Sequence, residues 1–363
     1  MEKQNPFSTA FGRVPKLYVA ESENNIVNEI VSTLDAMTDN VIEISGIRGS
    51  GKTVTMAAVE EILDKRDDWI VIDLIVRDNM LDSLVANLYD SCDYVNKFIC
   101  SNINLSAFGI GVDISTIPQA SSLEVALKKI LEKMKNDGKQ LLIAIDEAVP
   151  SKEFVEFAKI FNMLSRRSYP INIVMTGLKK NFSALEDIDD MTFLRRSFKI
   201  ELEPLNFTLV RLSYMNIFKI DVEYANELAY FTKGYPFAYQ ALGKLLWEEE
   251  NHKLTDSVIE NFDNIMDVNC YGKLWSEFSE KEKWYLCYIS KKDSLKASEV
   301  LSMTAKKAGD LSRYRDSLIK KGVLSGKQRG IVNFVLPRFN VFVQNQAKYE
   351  GRTIENDYIS VKY

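Results

Sequence analysis

A glycine-rich stretch near the start of the chain has the residue types and spacing of a phosphate-binding loop. It reads Gly46-Ile47-Arg48-Gly49-Ser50-Gly51-Lys52-Thr53 and follows an apolar run, although a plain strand-to-helix turn can also be rich in glycine. Glycine lets the backbone fold tightly, so that several N–H groups converge on one anion at the positive end of the following helix. Lys52 would then reach the β- and γ-phosphates of ATP, and the Thr53 hydroxyl would bind Mg²⁺. The spacing predicts nucleotide contacts at Gly46, Gly49, Ser50, Gly51, Lys52, Thr53 and Val54.

Two adjacent carboxylates, Asp146 and Glu147, follow a second apolar run at positions 141–145. In open α/β sheets ligands bind at the carboxyl ends of the strands, which is where we expect these side chains. Asp146 would complete the Mg²⁺ shell, and Glu147 would orient the attacking water and accept its proton. A strand that ends in Asp-Glu is common and can simply be solvated. Its place about 95 residues after the glycine loop favours the metal-binding and catalytic role.

Three further side chains are candidates for contact with the reacting phosphate. Thr176 follows the apolar run 171–175, where its hydroxyl could meet the γ-phosphate or the water, or could instead cap its own turn. Arg195 and Arg196 stand shortly before another apolar run, at 198–202. A guanidinium there could contact the γ-phosphate of its own or a neighbouring subunit, whereas the alternative is a solvated basic pair. We therefore predict catalytic roles for Glu147, Lys52, Thr176, Arg195 and Arg196.

Composition limits the class of protein. The 363 residues are 46% hydrophobic and 27% charged, which is typical of a globular protein of two or three domains. Because no apolar run approaches the roughly 20 residues that span a bilayer, we expect a cytoplasmic protein with no membrane partner. The four cysteines include no CxxC pair, and the chain has one histidine. These counts argue against a structural zinc site and against Cys–His or Ser–His catalysis.

Elements that could position these residues alternate along the first 205 residues. Five apolar runs separated by helical patterns predict an α/β fold, a parallel sheet with helices on both faces. One stretch, 102–119, is glycine-containing and nearly uncharged, and we interpret it as an inserted hairpin. The predicted domains are an ATPase core at 1–205 with an N-terminal lead-in, a helical lid at 206–270, a winged helix at 271–347 and a loose tail at 348–363.

The winged-helix prediction rests on the order helix, helix, helix, β-hairpin and on charge. Residues 272–345 hold 15 Lys and Arg against 7 Asp and Glu, a net charge of +8, whereas the rest of the chain carries −13. A basic module suggests a polyanionic partner, and a helix in the major groove with a basic wing on phosphates would bind double-stranded DNA. The alternative is a module for protein contacts, with lysines that only solvate its face. The candidate DNA contacts are Lys306, Lys307, Arg313, Arg315, Lys327 and Arg329.

Taken together, these motifs resemble those of AAA+ ATPases. The chain is similar over nearly its whole length to archaeal and bacterial ATPases related to origin-recognition initiators, and to the neighbouring STAND signalling ATPases. The resemblance implies the ASCE strand order 5-1-4-3-2. It also implies that the lead-in, from Asn5-Pro6-Phe7 to Pro15, lies near the adenine, and that Pro236 of Lys233-Gly234-Tyr235-Pro236 packs against it. The sequence departs from the initiators in having no arginine at 234–238 and Ala20-Glu21 in place of the usual Gly-Arg.

Two hypotheses follow for function. The first is an ATP-hydrolysing factor whose nucleotide state controls DNA binding through the winged helix. The second is a STAND-like nucleotide switch whose winged helix contacts a protein partner instead. In both, hydrolysis is expected to be slow if the arginine comes from another subunit of a homo-oligomer or from a partner.

Overall fold

A five-stranded parallel sheet forms the first half of the protein in the computed structural model, which describes residues 4–10, 12, 14–15, 26–91, 95, 119–292, 294–304, 306–355 and 358–361. The strands are β1 Val41–Ser45, β2 Trp69–Asp73, β3 Gln140–Ile145, β4 Ile171–Gly177 and β5 Phe198–Glu201. Their order in the sheet is β2-β3-β4-β1-β5, which confirms the expected 5-1-4-3-2.

Helices cover both faces of this sheet, as the α/β prediction requires. Strands β1 and β4 are buried along their whole length, which is expected for parallel strands enclosed on both sides. Alternate residues of one strand enter different cores: Val41 packs in one hydrophobic cluster, and Ile42 and Ile44 pack in the other. The helices are α1 Ile26–Asp35, α2 Lys52–Asp64, α3 Met80–Ser91, α4 Gln119–Asn136, α5 Lys152–Arg166 and α6 Lys179–Glu186, followed by a 3₁₀ helix at Asp189–Arg196.

Strand register brings the candidate site residues to one edge of the sheet. Ser45 of β1 pairs with Gly177 of β4, and Ile145 of β3 pairs with Met175. The glycine loop, Asp146 and Thr176 therefore emerge side by side at the carboxyl ends of three neighbouring strands. The hairpin predicted at 102–119 lies outside the described residues except for Gln119, which begins α4.

Four helices form the lid, and the lead-in segment packs on them. Phe7 is 4% exposed, and its ring lies 5.5–6.0 Å from those of Tyr214, Phe218 and Tyr239. A Cβ at position 243 would collide with the Phe7 ring, so Gly243 permits this approach. The lid helices are α7 Phe207–Phe218, α8 Val222–Thr232, α9 Pro236–Glu248 and α10 Asp256–Met266, and a π-helix at Asp267–Tyr271 follows them.

The elements of the C-terminal module run from Gly272, directly after the π-helix, to Tyr349, whereas the sequence predicted a winged helix at 271–347. Its strands β6 (Ser294–Lys296) and β7 (Ile331–Asn333) pair antiparallel, and an isolated bridge joins Leu324 to Phe334. Gly322, with φ of 72°, lies two residues after helix α14 (Ala308–Lys320) and has the conformation typical of a glycine that ends a helix. The module contains α11 Gly272–Ser276, α12 Glu280–Ile289, β6 Ser294–Lys296, α13 Ala297–Ser302, α14 Ala308–Lys320, β7 Ile331–Asn333 and α15 Phe339–Tyr349.

The last residues differ from the loose tail predicted for 348–363. β8 Arg352–Glu355 pairs antiparallel with β9 Tyr358–Val361. The Arg352 guanidinium also contacts Glu280 at 2.7 Å and Glu350, so it holds the start of this hairpin against α12. Among the described residues, no helix is both long and apolar enough to span a bilayer.

A buried ion pair joins α12 to the end of α14. Glu282 is 5% exposed, and its Oε2 accepts hydrogen bonds from Lys321 Nζ at 2.8 Å and from the Ser279 amide at 2.7 Å. Its Oε1 accepts from the Ser317 hydroxyl at 2.7 Å. Burial by itself would raise the pKa of Glu282, but the hydrogen bonds from Lys321, Ser317 and Ser279 outweigh burial and hold the pKa below its ordinary value.

We expect Glu282→Gln to lower the free energy of unfolding by about 3 kcal/mol at pH 7, because it leaves the Lys321 ammonium without its carboxylate. A carboxyl with a lowered pKa stabilises the folded state above its unfolded pKa of about 4.3 and loses that effect as the pH falls through its folded pKa. Urea unfolding should therefore show a difference between the two proteins that shrinks below about pH 4. Glu260→Gln, at an exposed position of α10, is the control and should cost less than about 0.5 kcal/mol. If Glu282→Gln lowered the free energy of unfolding equally at pH 7 and below about pH 4, this account would be contradicted.

Candidate functional site

A cavity of about 310 Å³ opens at the carboxyl edge of the sheet, between the glycine loop, the lid and the lead-in. Its wall includes Pro15 from the lead-in and Pro236 from the first turn of α9. Asn269 and Cys270 of the π-helix also line it. The structure thus brings both prolines of the sequence prediction to one cavity, beside the loop that was predicted to bind phosphate.

The glycine loop needs its glycines for two separate reasons. Gly49 and Gly51 have φ of 77° and 92°, a conformation that other residues rarely adopt. A Cβ on Gly49 would also collide with the Tyr235 hydroxyl of the lid. Gly51 stands immediately before α2, so the loop backbone faces the cavity at the amino-terminal end of that helix.

The Lys52 side chain folds back onto the start of this loop. Its Nζ donates hydrogen bonds to the carbonyls of Gly46 at 3.1 Å and Ile47 at 2.9 Å. Burial lowers the pKa of Lys52 to about 8, and the nearby Asp146 carboxylate opposes this shift. An anion in the cavity would offer the Lys52 ammonium a charged partner in place of two neutral carbonyls.

Asp146 joins the glycine loop to the neighbouring strand. The Thr53 hydroxyl lies 3.0 Å and 3.2 Å from its two carboxylate oxygens. The Thr176 hydroxyl, which is fully buried, donates to Asp146 Oδ1 and accepts a hydrogen bond of 3.1 Å from the Glu147 amide. A hydroxyl and a carboxylate side by side are oxygen ligands of the kind that Mg²⁺ prefers, so these residues fit that ion. Thr176 thus fixes the Asp146 side chain and the Glu147 backbone by hydrogen bonds. Thr176 itself is not among the described residues that line the cavity.

Glu147 presents its side chain to the cavity from a constrained backbone. Its φ is 54°, in the left-handed region, and its amide is bonded to Thr176. The carboxylate is 62% exposed and lies 3.9 Å from the Arg48 guanidinium. Glu147 is thus an exposed carboxylate at this edge, whereas Asp146 is fixed by hydrogen bonds.

Arg195 and Arg196 lie away from this cavity. Both are exposed at the end of the 3₁₀ helix, immediately before β5. Because β5 runs parallel to β1, with Phe198 beside Ile42 and Glu201 beside Ser45, these arginines stand at the amino edge of the sheet. The glycine loop stands at the carboxyl edge, so neither arginine faces the loop of its own chain.

Sequence reasoning missed Arg48 and Tyr235 as site residues. The Tyr235 hydroxyl donates a hydrogen bond to the Arg48 carbonyl, and the Phe237 amide lies 3.3 Å from the Gly49 carbonyl. The lid is therefore bonded to the backbone of the glycine loop. Arg48 also lines the cavity. A charged residue at a variable position of the loop was a signal that could have identified Arg48. The Tyr235 contact spans 187 residues of sequence and left no local signal.

The candidate DNA contacts differ in how they are placed. Lys307, Arg313, Lys327 and Arg329 are exposed. Arg315 donates to the carbonyls of Gln328 at 3.4 Å and Ile331 at 3.2 Å, which fixes the segment before β7 against α14. The Lys306 ammonium lies 5.6 Å from the centre of the Trp284 ring. Lys327 Nζ lies 3.1 Å from a carboxylate oxygen of Glu203, an exposed residue that follows β5.

The C-terminal module also touches the glycine loop itself. A Cβ at Gly322, directly after α14, would collide with Cγ2 of Ile47. The Ile47 side chain packs against the hydrophobic cluster of the lid and C-terminal module. Lys233 of the lid donates to the Phe334 carbonyl at 3.0 Å. The loop is therefore in contact with the core, the lid and the module at once.

Comparison with known proteins matches one family profile, described as a domain of unknown function (DUF8462), over residues 268–343. A comparison with curated protein sequences found no match. Among solved structures, the chain is similar to a Pyrobaculum aerophilum CDC6P, at 12% identity, TM-score 0.48 and coverage of 94% of this chain and 97% of that chain. It is also similar to a Pyrococcus horikoshii STAND protein with a tetratricopeptide repeat sensor, at 17% identity, TM-score 0.40 and coverage of 88% and 42%.

A stronger structural likeness is to the Aeropyrum pernix ORC2 protein, solved in ADPNP and ADP complexes. The TM-score is 0.51 at 13% identity, and the match covers 89% of this chain and 93% of that chain. At this identity the likeness shows the fold alone. The chain thus shares the fold of this ORC2 protein, an α/β fold with a parallel sheet, as the resemblance drawn from the sequence motifs implied.

Proposed function

We propose that this protein binds ATP with Mg²⁺ in the cavity beside the glycine loop and hydrolyses it. One observation carries the proposal: the Thr53 hydroxyl lies 3.0 Å and 3.2 Å from the Asp146 carboxylate, across two elements 93 residues apart. Together with Lys52 under the loop, this arrangement provides an anion site next to a cation site. MgATP requires both, because its phosphates are anions and its metal ion is a cation.

Each part of the site has a role in this proposal. Backbone amides of the loop bind the phosphates, and Lys52 turns from the Gly46 and Ile47 carbonyls to the phosphate oxygens. Thr53 and Asp146 would hold Mg²⁺, which supplies positive charge against the phosphates. Glu147 accepts the proton of the attacking water, and Thr176 keeps Asp146 and Glu147 in register. The adenine is assigned to the part of the cavity between Pro15 and Pro236.

The C-terminal module is proposed to be a winged helix that binds double-stranded DNA. Lys307 and Arg313 are exposed on or beside α14, and Lys327 and Arg329 are exposed in the segment before β7. These positions suit phosphate contacts that flank a helix in the major groove. Arg315 is assigned a positioning role, because its guanidinium holds that segment to the helix.

A second candidate function is supported by the contact between the module and the glycine loop. Ile47 packs beside Gly322, and Lys327 pairs with Glu203, which itself lines the cavity. A change of nucleotide in the loop would act directly on this contact. In a STAND-like switch, the same contact would hold the module closed and release it to a protein partner rather than to DNA.

The placement of Arg195 and Arg196 bears on the proposal of a homo-oligomer. At the amino edge of the sheet, they could serve only the nucleotide of a second copy. A homo-oligomer is therefore the arrangement in which they would take part in catalysis.

For nucleotide binding and turnover, Lys52→Ala should weaken ATP binding by about 100-fold, because the phosphates lose their charged ligand. Glu147→Gln should bind ATP within about threefold of the wild type and lose turnover by about 10²–10³-fold, because the base is gone. Calorimetry and a phosphate-release assay measure the two effects. Lys129→Ala, at an exposed position of α4, is the control and should change neither. Normal hydrolysis by Glu147→Gln would overturn the assignment of the base.

For DNA binding, a salt titration with duplex DNA separates the two candidate functions. If Lys307 and Arg313 each contact a phosphate, the double variant Lys307→Ala with Arg313→Ala should lower the slope of log K against log salt by about 2. Lys281→Ala with Lys348→Ala removes the same charge from exposed positions of α12 and α15 and should leave the slope nearly unchanged. No binding at low salt, with or without ATP, would favour the protein-partner switch.

A further inference from the structure

Arg48 occupies an unusual electrostatic position in the cavity. Among the described residues that line it, Arg48 and Lys52 are the basic side chains, against the carboxylates of Asp146, Glu147 and Glu203. Lys52 lies beneath the loop. Arg48 is therefore a second cation, besides Lys52, that can meet the end of a bound phosphate chain, and it is the one that lies beside Glu147.

The Arg48 backbone is fixed while its guanidinium is free to change partner. The Tyr235 hydroxyl donates to the Arg48 carbonyl from the lid side, and the next residue, Gly49, is held at φ of 77°. The guanidinium, by contrast, meets Glu147 at 3.9 Å in a partly exposed pair, with side chains 28% and 62% exposed. Such pairs contribute little free energy, so this one can be exchanged at low cost.

Glu147 is also anchored through its backbone. Its amide is bonded to Thr176, and its φ of 54° fixes the direction in which the side chain leaves the strand. A γ-phosphate would compete with this carboxylate for the Arg48 guanidinium, and a planar guanidinium binds phosphate oxygens through two parallel hydrogen bonds. Once Arg48 changes partner, the Glu147 carboxylate is free to accept a proton from water.

Other arginines are less well placed for this role. Arg195 and Arg196 stand at the opposite edge of the sheet. The α9 residues that line the cavity are Pro236, Phe237, Tyr239 and Gln240, and none of them carries a charge.

We propose that Arg48 reads the γ-phosphate in its own chain: it pairs with Glu147 when no γ-phosphate is present and moves to the γ-phosphate when ATP is bound. The inference rests on the proposed ATP site and assigns its arginine. Arg48 is thus a phosphate ligand and, through the same exchange, a positioning residue for Glu147.

The first test compares calorimetric affinities for ADP and for the β,γ-imido analogue of ATP in the 363-residue chain. Arg48→Ala should lose about tenfold of the preference for the analogue while ADP affinity stays within about threefold, because ADP lacks the γ-phosphate. Arg48→Lys should keep part of the preference, because lysine keeps the positive charge but cannot make the two parallel hydrogen bonds of a guanidinium. Lys129→Ala, at an exposed position of α4, is the control and should leave the preference unchanged. Equal weakening of both nucleotides by Arg48→Ala, or the same loss of preference in Lys129→Ala, would overturn the proposal.

The second test asks whether the arginine acts within one chain. Single-turnover hydrolysis by Arg48→Ala should fall by about 10²–10³-fold, and mixing it with inactive Lys52→Ala should not restore activity. Restored activity in the mixture would mean that Arg48 reaches the site of another copy, which overturns the proposal. If the wild type binds no nucleotide, the proposed function and this inference both fail. If it binds both nucleotides and Arg48→Ala keeps the wild-type preference, this inference alone fails.

Discussion

The hydrogen bonds of Asp146 are the constraint on which the rest of the proposed site depends. Its two carboxylate oxygens meet the Thr53 hydroxyl, and one of them also meets the Thr176 hydroxyl. Asp146 follows β3, Thr176 is the second-last residue of β4, and Thr53 lies in the first turn of α2, which the glycine loop joins to β1. The register of these three strands is recorded in their backbone pairing. A change in strand register by one residue would move all three residues apart, so the packing of the sheet defines the geometry of the site.

Around this centre, three parts of the chain meet at the glycine loop. The lid holds Arg48 and Gly49 through Tyr235 and Phe237, and the C-terminal module packs on Ile47 through Gly322. Lys52 occupies the underside of the same loop. A nucleotide that reorganises the loop would therefore act on the lid and the module through direct contacts. This arrangement gives a physical basis for both candidate functions, which differ in what the released module contacts.

Much of the fold could be predicted because its signals are local. Apolar runs gave the strands, glycine spacing gave the loop, and Asp146 and Glu147 appeared at a strand end. Contacts over long sequence distances could not be predicted: Tyr235 on Arg48, Gly322 on Ile47, and Lys327 on Glu203. The inward position of Arg315 and the pairing of β8 with β9 were missed for the same reason, since neither side-chain direction nor hairpin docking follows from composition.

The central claim is that Thr53 and Asp146 hold the metal ion of a nucleotide bound at the loop. Calorimetric titration of ATP with and without Mg²⁺, in the wild type and in Asp146→Asn, tests it most directly. The account predicts one nucleotide per chain and an affinity that Mg²⁺ raises in the wild type by at least about tenfold more than in Asp146→Asn. The same dependence on Mg²⁺ in both proteins, or no ATP binding by the folded wild type, would contradict it.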